Sequence, residues 1–307
     1  MKKILIADKL HPIFKLEAER MGYEVDDLPN ISREETLEII DRYSGIAIRT
    51  KFKIDEELIL AGSNLRFIAR AGAGMDNIDL AVAAAQNITC INAPEGNRDA
   101  VGEHATGMLL SIMNNLRKAD IEVREGIWDR EGNRGIELRD RTVAIIGYGF
   151  MGQSFARKLS GFGVNVIAYD KYKTGFSDEF AREVSMEQIV KQADVLSFHI
   201  PLTRETRQMV DDEYLFHFRK PIILLNTARG EIVNTAAVLN AIKAGKIIGA
   251  GLDVLEVEKF PTLEDLEWFK ELRQNEKVLL SPHVAGWSVE SYRRISEVLA
   301  EKLKAIR

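Results

Sequence analysis

Cysteine is all but missing: Cys90 is the single one in 307 residues, so no disulfide forms within the chain. It lies in the apolar run ITCINA and reads as a buried core thiol. Basic residues are not in surplus. With 42 Lys and Arg against 47 Asp and Glu, the net charge of −5 and the lack of a basic stripe argue against a nucleic-acid binder. No apolar run reaches the length of a membrane span, and ILIA after the first lysines stops at Asp8, too short for a signal-peptide core. A cytoplasmic location is the expectation. His, Cys and acidic residues nowhere cluster at ligand spacing, so no metal site is expected. Low-complexity tracts and short repeats are lacking too. What remains is an ordinary soluble composition, 46% hydrophobic, in a chain long enough for two domains.

The most informative stretch is RTVAIIGYGFMGQSFARKLSGFGVNVIAYD, from Arg141 to Asp170. Val143 to Ile146 form the continuous apolar run of a parallel strand covered on both faces. The turn Gly147-Tyr148-Gly149-Phe150-Met151-Gly152 follows, then Phe155, Leu159 and Phe162 recur at helical spacing. In such a unit Gly147 makes the sharp turn, Gly149 admits a pyrophosphate, and Gly152 lets helix and strand pack closely. The helix N-terminus, with Phe150 and Met151 in its first turn, turns unpaired N–H groups and a positive dipole end to the phosphates. Asp170 closes the next apolar run, where its carboxylate suits an adenosine ribose and repels a 2′-phosphate. NAD is therefore expected rather than NADP, with Lys171 and Lys173 tempering the preference.

Strand and helix patterns alternate on both sides of this unit, predicting an α/β chain of two doubly wound, Rossmann-like parallel sheets. KILIAD, YEV, GIAIRT, LRFIAR and ITCINA read as strands of a flavodoxin-like first domain, with a capping box at Ser32-x-x-Glu35. A long helix is predicted over 97–118, followed by an irregular polar segment over 119–139. TVAIIG, VNVIAY, DVLSFHI, PIILLNTA, IIGAGLDV and KVLLSPH form the second series. The last helix, over 288–306, has no place in that series and is expected to return to the first domain. That gives a discontinuous domain of 1–98 plus 285–307 and a nucleotide domain of 99–284.

Ligands of doubly wound sheets gather beyond the carboxyl ends of the strands. Thr227 and Arg229 follow one strand, Asp253 and Glu258 another, and His283 a third, while LRFIARAGAG supplies glycine-spaced N–H groups. An arginine, a carboxylate and a histidine so placed suit a site that binds a carboxylate and moves a proton. Of the other histidines, His11 and His217 read as structural, His104 as a packing residue of the long helix, and His199 as a strand-end neighbour of the cofactor.

RAGAGMDNID, INAPEGN, GYGFMG with Asp170, HIPLT, NTARG, LDVLEVE and SPHVAG occur in the order and spacing of the NAD-dependent D-2-hydroxyacid dehydrogenase family, which the whole chain resembles. The resemblance extends to its D-3-phosphoglycerate dehydrogenase-like members, in a short form. It implies that Arg229 holds the substrate carboxylate and carbonyl, that His283 is the general acid/base at the C2 oxygen, and that Glu258 pairs with His283. A carboxylate beside an imidazole fixes its tautomer and orientation. Asp253 would contact the nicotinamide carboxamide, Thr227, Ala228 and Gly286 would line the cofactor pocket, and Pro201 and Thr206 would approach the cofactor. The N–H groups around Ala73 and Gly74 would receive the substrate carboxylate. Arg49 and Lys51 fall where relatives acting on 3-phosphoglycerate bind phosphate. Glu258 in place of glutamine speaks against the formate-oxidising branch, and the polar segment 119–139, with Trp128, resembles the arm that embraces a second subunit in a homodimer.

Two departures stand out. The family's DVxxxEP becomes DVLEVEKFP, displacing the proline to Pro261, and Trp287 is bulky where many relatives are small. The chain stops after its last helix, so a C-terminal regulatory domain with serine feedback is not expected. The expected reaction interconverts a D-2-hydroxyacid and its 2-keto acid with NAD(H), D-3-phosphoglycerate being the first substrate to try. A glyoxylate or hydroxypyruvate reductase is the alternative. So is a non-catalytic NADH-sensing protein on this scaffold. A methyltransferase sharing the glycine-rich turn is disfavoured by the second α/β domain and by NTARG and SPHVAG.

Overall fold

The computed structural model describes residues 2–306. They fall into two compact units, 1–98 with 287–307 and 99–286. The first crossing lies inside the helix Pro94–Met113, and the second falls at Gly286/Trp287, two residues later than the sequence suggested.

The first unit is built on β1 (Lys3–Ile6), β2 (Glu24–Asp27), β3 (Gly45–Ile48), β4 (Phe67–Arg70) and β5 (Thr89–Asn92). They pair in parallel in the order β2-β1-β3-β4-β5. Residues of β1, β3 and β4 are almost wholly buried because helices cover both faces, which is why these strands read as unbroken apolar runs rather than alternating ones. The helix Val289–Leu303 packs Ile295, Leu299, Ala300 and Leu303 against Ile4, Ile6, Phe14 and Ala18. It is capped at Ser288, and the predicted box at Ser32 and Glu35 is present.

The second unit carries β6 (Thr142–Ile146), β7 (Asn165–Tyr169), β8 (Arg182–Glu183), β9 (Val195–Phe198), β10 (Ile222–Asn226), β11 (Ile247–Leu252) and β12 (Val278–Leu280). The parallel order is β12-β11-β10-β9-β6-β7-β8, so the winding reverses between β6 and β9. At such a switch point two loops diverge above the sheet and leave a crevice for a ligand. The strand β8, two residues long, escaped the sequence reading because so short a segment carries no periodicity.

One prediction needs correction. The helix expected over 97–118 begins at Pro94, where a first-turn proline gives up no hydrogen bond, and ends at Met113. Asn115 then takes a left-handed conformation, φ 51°, and the chain starts a second helix, Leu116–Arg124, which runs on into the stretch expected to be irregular. This helix buries no residue: Leu116, Ala119 and Val123 recur at helical spacing, but Leu116 and Val123 stand exposed in a segment rich in charge. Ion pairs one turn apart, Lys118 with Glu122 at 2.7 Å and Asp120 with Arg124 at 2.8 Å, support it instead.

Candidate functional site

The glycine turn lies at the switch point of the second unit. Gly147 has φ 92°, which an L side chain rarely adopts, and a Cβ there would sit 2.5 Å from the carbonyl oxygen of His199 beyond β9. A Cβ on Gly152 would stand 2.1 Å from the carbonyl oxygen of Gly147, so the helix Phe150–Lys158 crosses the strand end with no room for any side chain. At Gly149 a Cβ would meet nothing within 4 Å. That open space, below the free N–H groups of a helix start, is what a pyrophosphate requires. Asp170 follows β7 with one carboxylate oxygen accepting from the Tyr148 N–H at 2.9 Å and the other from the Tyr172 N–H at 2.9 Å. Each oxygen keeps a lone pair for a ribose hydroxyl. Thr227 adds a buried hydroxyl with no hydrogen-bond partner among the described residues, which a bound nicotinamide cofactor would satisfy. The residues present therefore fit NAD.

Arg229, Glu258 and His283 follow β10, β11 and β12, neighbours at one end of the sheet, so their loops leave the same carboxyl edge. Asn226, fully buried at the end of β10, accepts from the Ala228 N–H at 3.1 Å and donates to the Arg229 carbonyl at 2.9 Å, shaping the turn that presents Thr227, Ala228 and Arg229. The Arg229 Nη1 donates to the Ala228 carbonyl at 2.6 Å, and a Cβ on Gly230 would fall 1.9 Å from the carbonyl oxygen of Leu255. The loop bearing Arg229 thus lies directly against the loop bearing Glu258. Glu258 Oε2 sits 2.9 Å from His283 Nδ1, and the displaced Pro261 does not pull the acid away. Because the carboxylate only accepts, Nδ1 carries the proton and Nε2 is left to exchange one with a ligand. The imidazole is about half exposed, at 48%.

Asp253 is turned inward, with only 1% of its area exposed. Its Oδ1 accepts from the Ser281 hydroxyl at 2.5 Å and the Val284 N–H at 3.0 Å, its Oδ2 from the Ala285 N–H at 2.9 Å. The His283 N–H donates to the Asp253 carbonyl at 2.7 Å. His283 itself has φ 55°, a strained position for a residue with a side chain, and this ring of bonds holds it. The carboxylate expected to face the nicotinamide carboxamide also shapes the histidine turn. His104 is not a packing residue: its Nε2 lies 2.9 Å from the Ser281 Oγ and 3.5 Å from Asp253 Oδ1. Since the serine proton goes to Asp253, His104 donates to the serine. Beyond β9, the Thr206 hydroxyl donates to the Pro201 carbonyl at 2.8 Å, and burial pushes the His199 imidazole down to about 4.

In the first unit, the Asp8 carboxylate after β1 accepts from the N–H groups of Arg49, Thr50 and Lys51 after β3. The Lys51 ammonium donates to the Pro29 carbonyl at 2.7 Å. The Arg49 guanidinium lies 3.3 Å from the centre of the Trp287 ring, and that ring meets Tyr292 edge-on. The unusual Trp287 is thus the bed on which Arg49 rests. Ala73 and Gly74 sit half-buried in the bend after β4, where the Asn92 side chain donates to the Ala73 carbonyl at 2.6 Å. His11 accepts from the Ile13 N–H at 3.2 Å and caps its helix.

The family model for the D-isomer specific 2-hydroxyacid dehydrogenase NAD-binding domain matches residues 106–285. The chain belongs to that family. It is 34% identical to a D-3-phosphoglycerate dehydrogenase of Archaeoglobus fulgidus over 98% of this chain and 56% of that protein. A hydroxypyruvate reductase of Thermotoga maritima is 33% identical over 89% of this chain and 88% of its own length. The chain therefore spans little more than half of the phosphoglycerate dehydrogenases it matches and most of the reductase. Among solved structures, a D-lactate dehydrogenase of Aquifex aeolicus complexed with NAD and lactic acid superposes with a TM-score of 0.83 at 26% identity, over 99% of this chain and 95% of that one.

Within this family member, His104, Ser281 and Asn226, given no role from sequence, bond to the turns that carry the candidate residues. Asn226 opens NTARG and Ser281 opens SPHVAG, but nothing local signals the contact of Ser281 with His104, 177 residues away.

Proposed function

We propose that the chain is an NAD-dependent D-2-hydroxyacid dehydrogenase whose proton-transfer group is His283. The contact between His283 Nδ1 and Glu258 Oε2 at 2.9 Å carries this reading, since it leaves Nε2 free at the carboxyl edge of a dinucleotide-type sheet. Bound in this site, NAD(H) would supply the hydride acceptor for oxidation at C2 and the donor for the reverse reaction. Nε2 takes the proton of the C2 hydroxyl as the 2-keto acid forms and gives it back on reduction. Glu258 keeps the imidazole in the tautomer that makes this possible, and Arg229 binds the carboxylate. Gly147, Gly149, Phe150, Met151 and Gly152 would cradle the pyrophosphate and Asp170 the adenosine ribose. Pro201, Thr206, Thr227, Ala228, Asp253 and Gly286 are assigned to the rest of the cofactor, and Ala73 and Gly74 to the substrate carboxylate. None of these roles needs a metal.

For substrate we infer D-3-phosphoglycerate first. Arg49, spread on Trp287, forms no salt bridge among the described residues and keeps its N–H edges for an anionic tail. Lys51 supports this less, being tied to Pro29. Hydroxypyruvate or glyoxylate is the second reading, favoured by the nearly full-length match to the hydroxypyruvate reductase. We further infer a homodimer held by the arm 119–139, where Trp128 stands 79% exposed beside exposed Ile127 and Val123.

Steady-state rates with phosphoglycerate, hydroxypyruvate, glyoxylate and D-lactate, each in the matching direction with both nicotinamide cofactors, rank the substrates. On the best of them, His283→Ala lowers kcat by roughly 10²–10⁴-fold while NADH binding persists. Near-full turnover by that variant would overturn the assignment.

A further inference from the structure

The lysines that follow Asp170 have settled positions. Lys173 Nζ donates to the Tyr148 carbonyl at 2.9 Å, inside the glycine turn. Lys171 forms a close ion pair with Glu205, which stands on the loop beyond β9. The Lys171 ammonium also stands 5.7 Å from the centre of the largely exposed Tyr172 ring. The pairing holds Glu205 below the usual carboxylate range and Lys171 above the usual range for lysine, in agreement with each other. The loops after β7 and β9 flank the strand that ends in the turn, so Glu205 brackets the ribose end of the cofactor site from the side opposite Asp170.

NAD and NADP differ by a phosphate on the adenosine ribose, and a lysine immediately after the ribose-binding acid is the nearest cation able to neutralise it. In this chain that cation is spoken for. We propose that Glu205 is a specificity-determining residue: by holding Lys171 it denies a 2′-phosphate its countercharge and reinforces the preference for NAD set by Asp170. The proposal rests on the nucleotide site described above and adds to it a residue from a separate loop, 34 positions further along the chain. Two other cations are near in sequence. Lys173 is engaged with Tyr148, and Arg204, beside Glu205, is exposed, so the test must separate it from Lys171.

The experiment is a fluorescence titration of the full chain with NADH and with NADPH, using the unsubstituted protein, Glu205→Gln, Lys171→Ala and the double variant. Glu205→Gln is expected to raise the NADPH-to-NADH affinity ratio roughly fivefold, the scale of a freed surface charge pair. The gain should vanish in Lys171→Ala/Glu205→Gln and shrink in 0.5 M salt, roughly where screening reaches a few ångströms. A loss of fold would lower both affinities and leave the ratio alone. An unchanged ratio in Glu205→Gln overturns the proposal, and so does a gain that survives without Lys171, which would point to Arg204. Failure of the unsubstituted protein to bind NADH overturns the nucleotide-site reading and this inference with it, whereas an unchanged ratio with NADH bound overturns this inference alone.

Discussion

Asp253→Asn is the sharpest test of how the site is held. Asparagine has the same shape, so no cavity opens and the loss is electrostatic and directional. The carboxylate serves Ser281 and Val284 through one oxygen and Ala285 through the other, all inside a residue with 1% of its area exposed. An amide keeps its oxygen on the side of Ser281 and Val284, and its NH₂ then faces the Ala285 N–H, donor against donor. A lost bond to a charged acceptor with a buried donor left unmet costs about 2–4 kcal/mol. For a unit of this size that lowers the melting temperature by roughly 5–12 °C. The turn that keeps His283 at φ 55° loses one of its anchors, and a misaimed imidazole lowers kcat by about tenfold to a hundredfold. Differential scanning calorimetry and steady-state kinetics on the best substrate read the two effects. The expected pattern is a lower transition together with a lower kcat. A variant that melts within 2 °C of the parent and turns over within about twofold would show that Asp253 does not organise the histidine turn.

Two further predictions concern stability and assembly. His199 titrates near 4 when folded and at its ordinary 6.5 when unfolded, so the unfolded chain takes up the proton first as pH falls. Its contribution is complete above 6.5 and is lost on acidification towards 4. Because the residue keeps some exposed area, about 1–2 kcal/mol should disappear between pH 7 and 5, and His199→Gln should flatten that part of the urea-midpoint profile. If the arm docks on a second copy, Trp128→Glu should convert a dimer to a monomer by light scattering at micromolar concentration. A monomeric parent protein would end the dimer reading.

Much of the architecture was legible because its signals are local. Strands covered on both faces must be apolar through their interiors, and VAII, VIAY and IILL are; a turn that crowds a backbone against a carbonyl must be glycine, and Gly147 and Gly152 are. The helix at 116–124 was harder to read, since Leu116, Ala119 and Val123 make only a short stripe in a charge-rich segment and none of them is buried. Arg229, Glu258 and His283 were visible as motif residues, but that Glu258 meets His283 across a loop with a displaced proline depended on the path of that loop. Asp253 reads from sequence as a residue for the cofactor, and that its carboxylate also binds 281, 284 and 285 is visible only in the fold.

By itself, then, the order of residues settled the two parallel sheets, the nucleotide turn and which side chains stand at strand ends. Each follows from burial, backbone freedom or spacing within one short segment. Only tertiary structure decided the partners: His104 with Ser281, Glu205 with Lys171, Arg49 with Trp287. Those pairings join distant positions, and a hydrogen bond or a stacked cation depends on a few ångströms of geometry that no local pattern encodes.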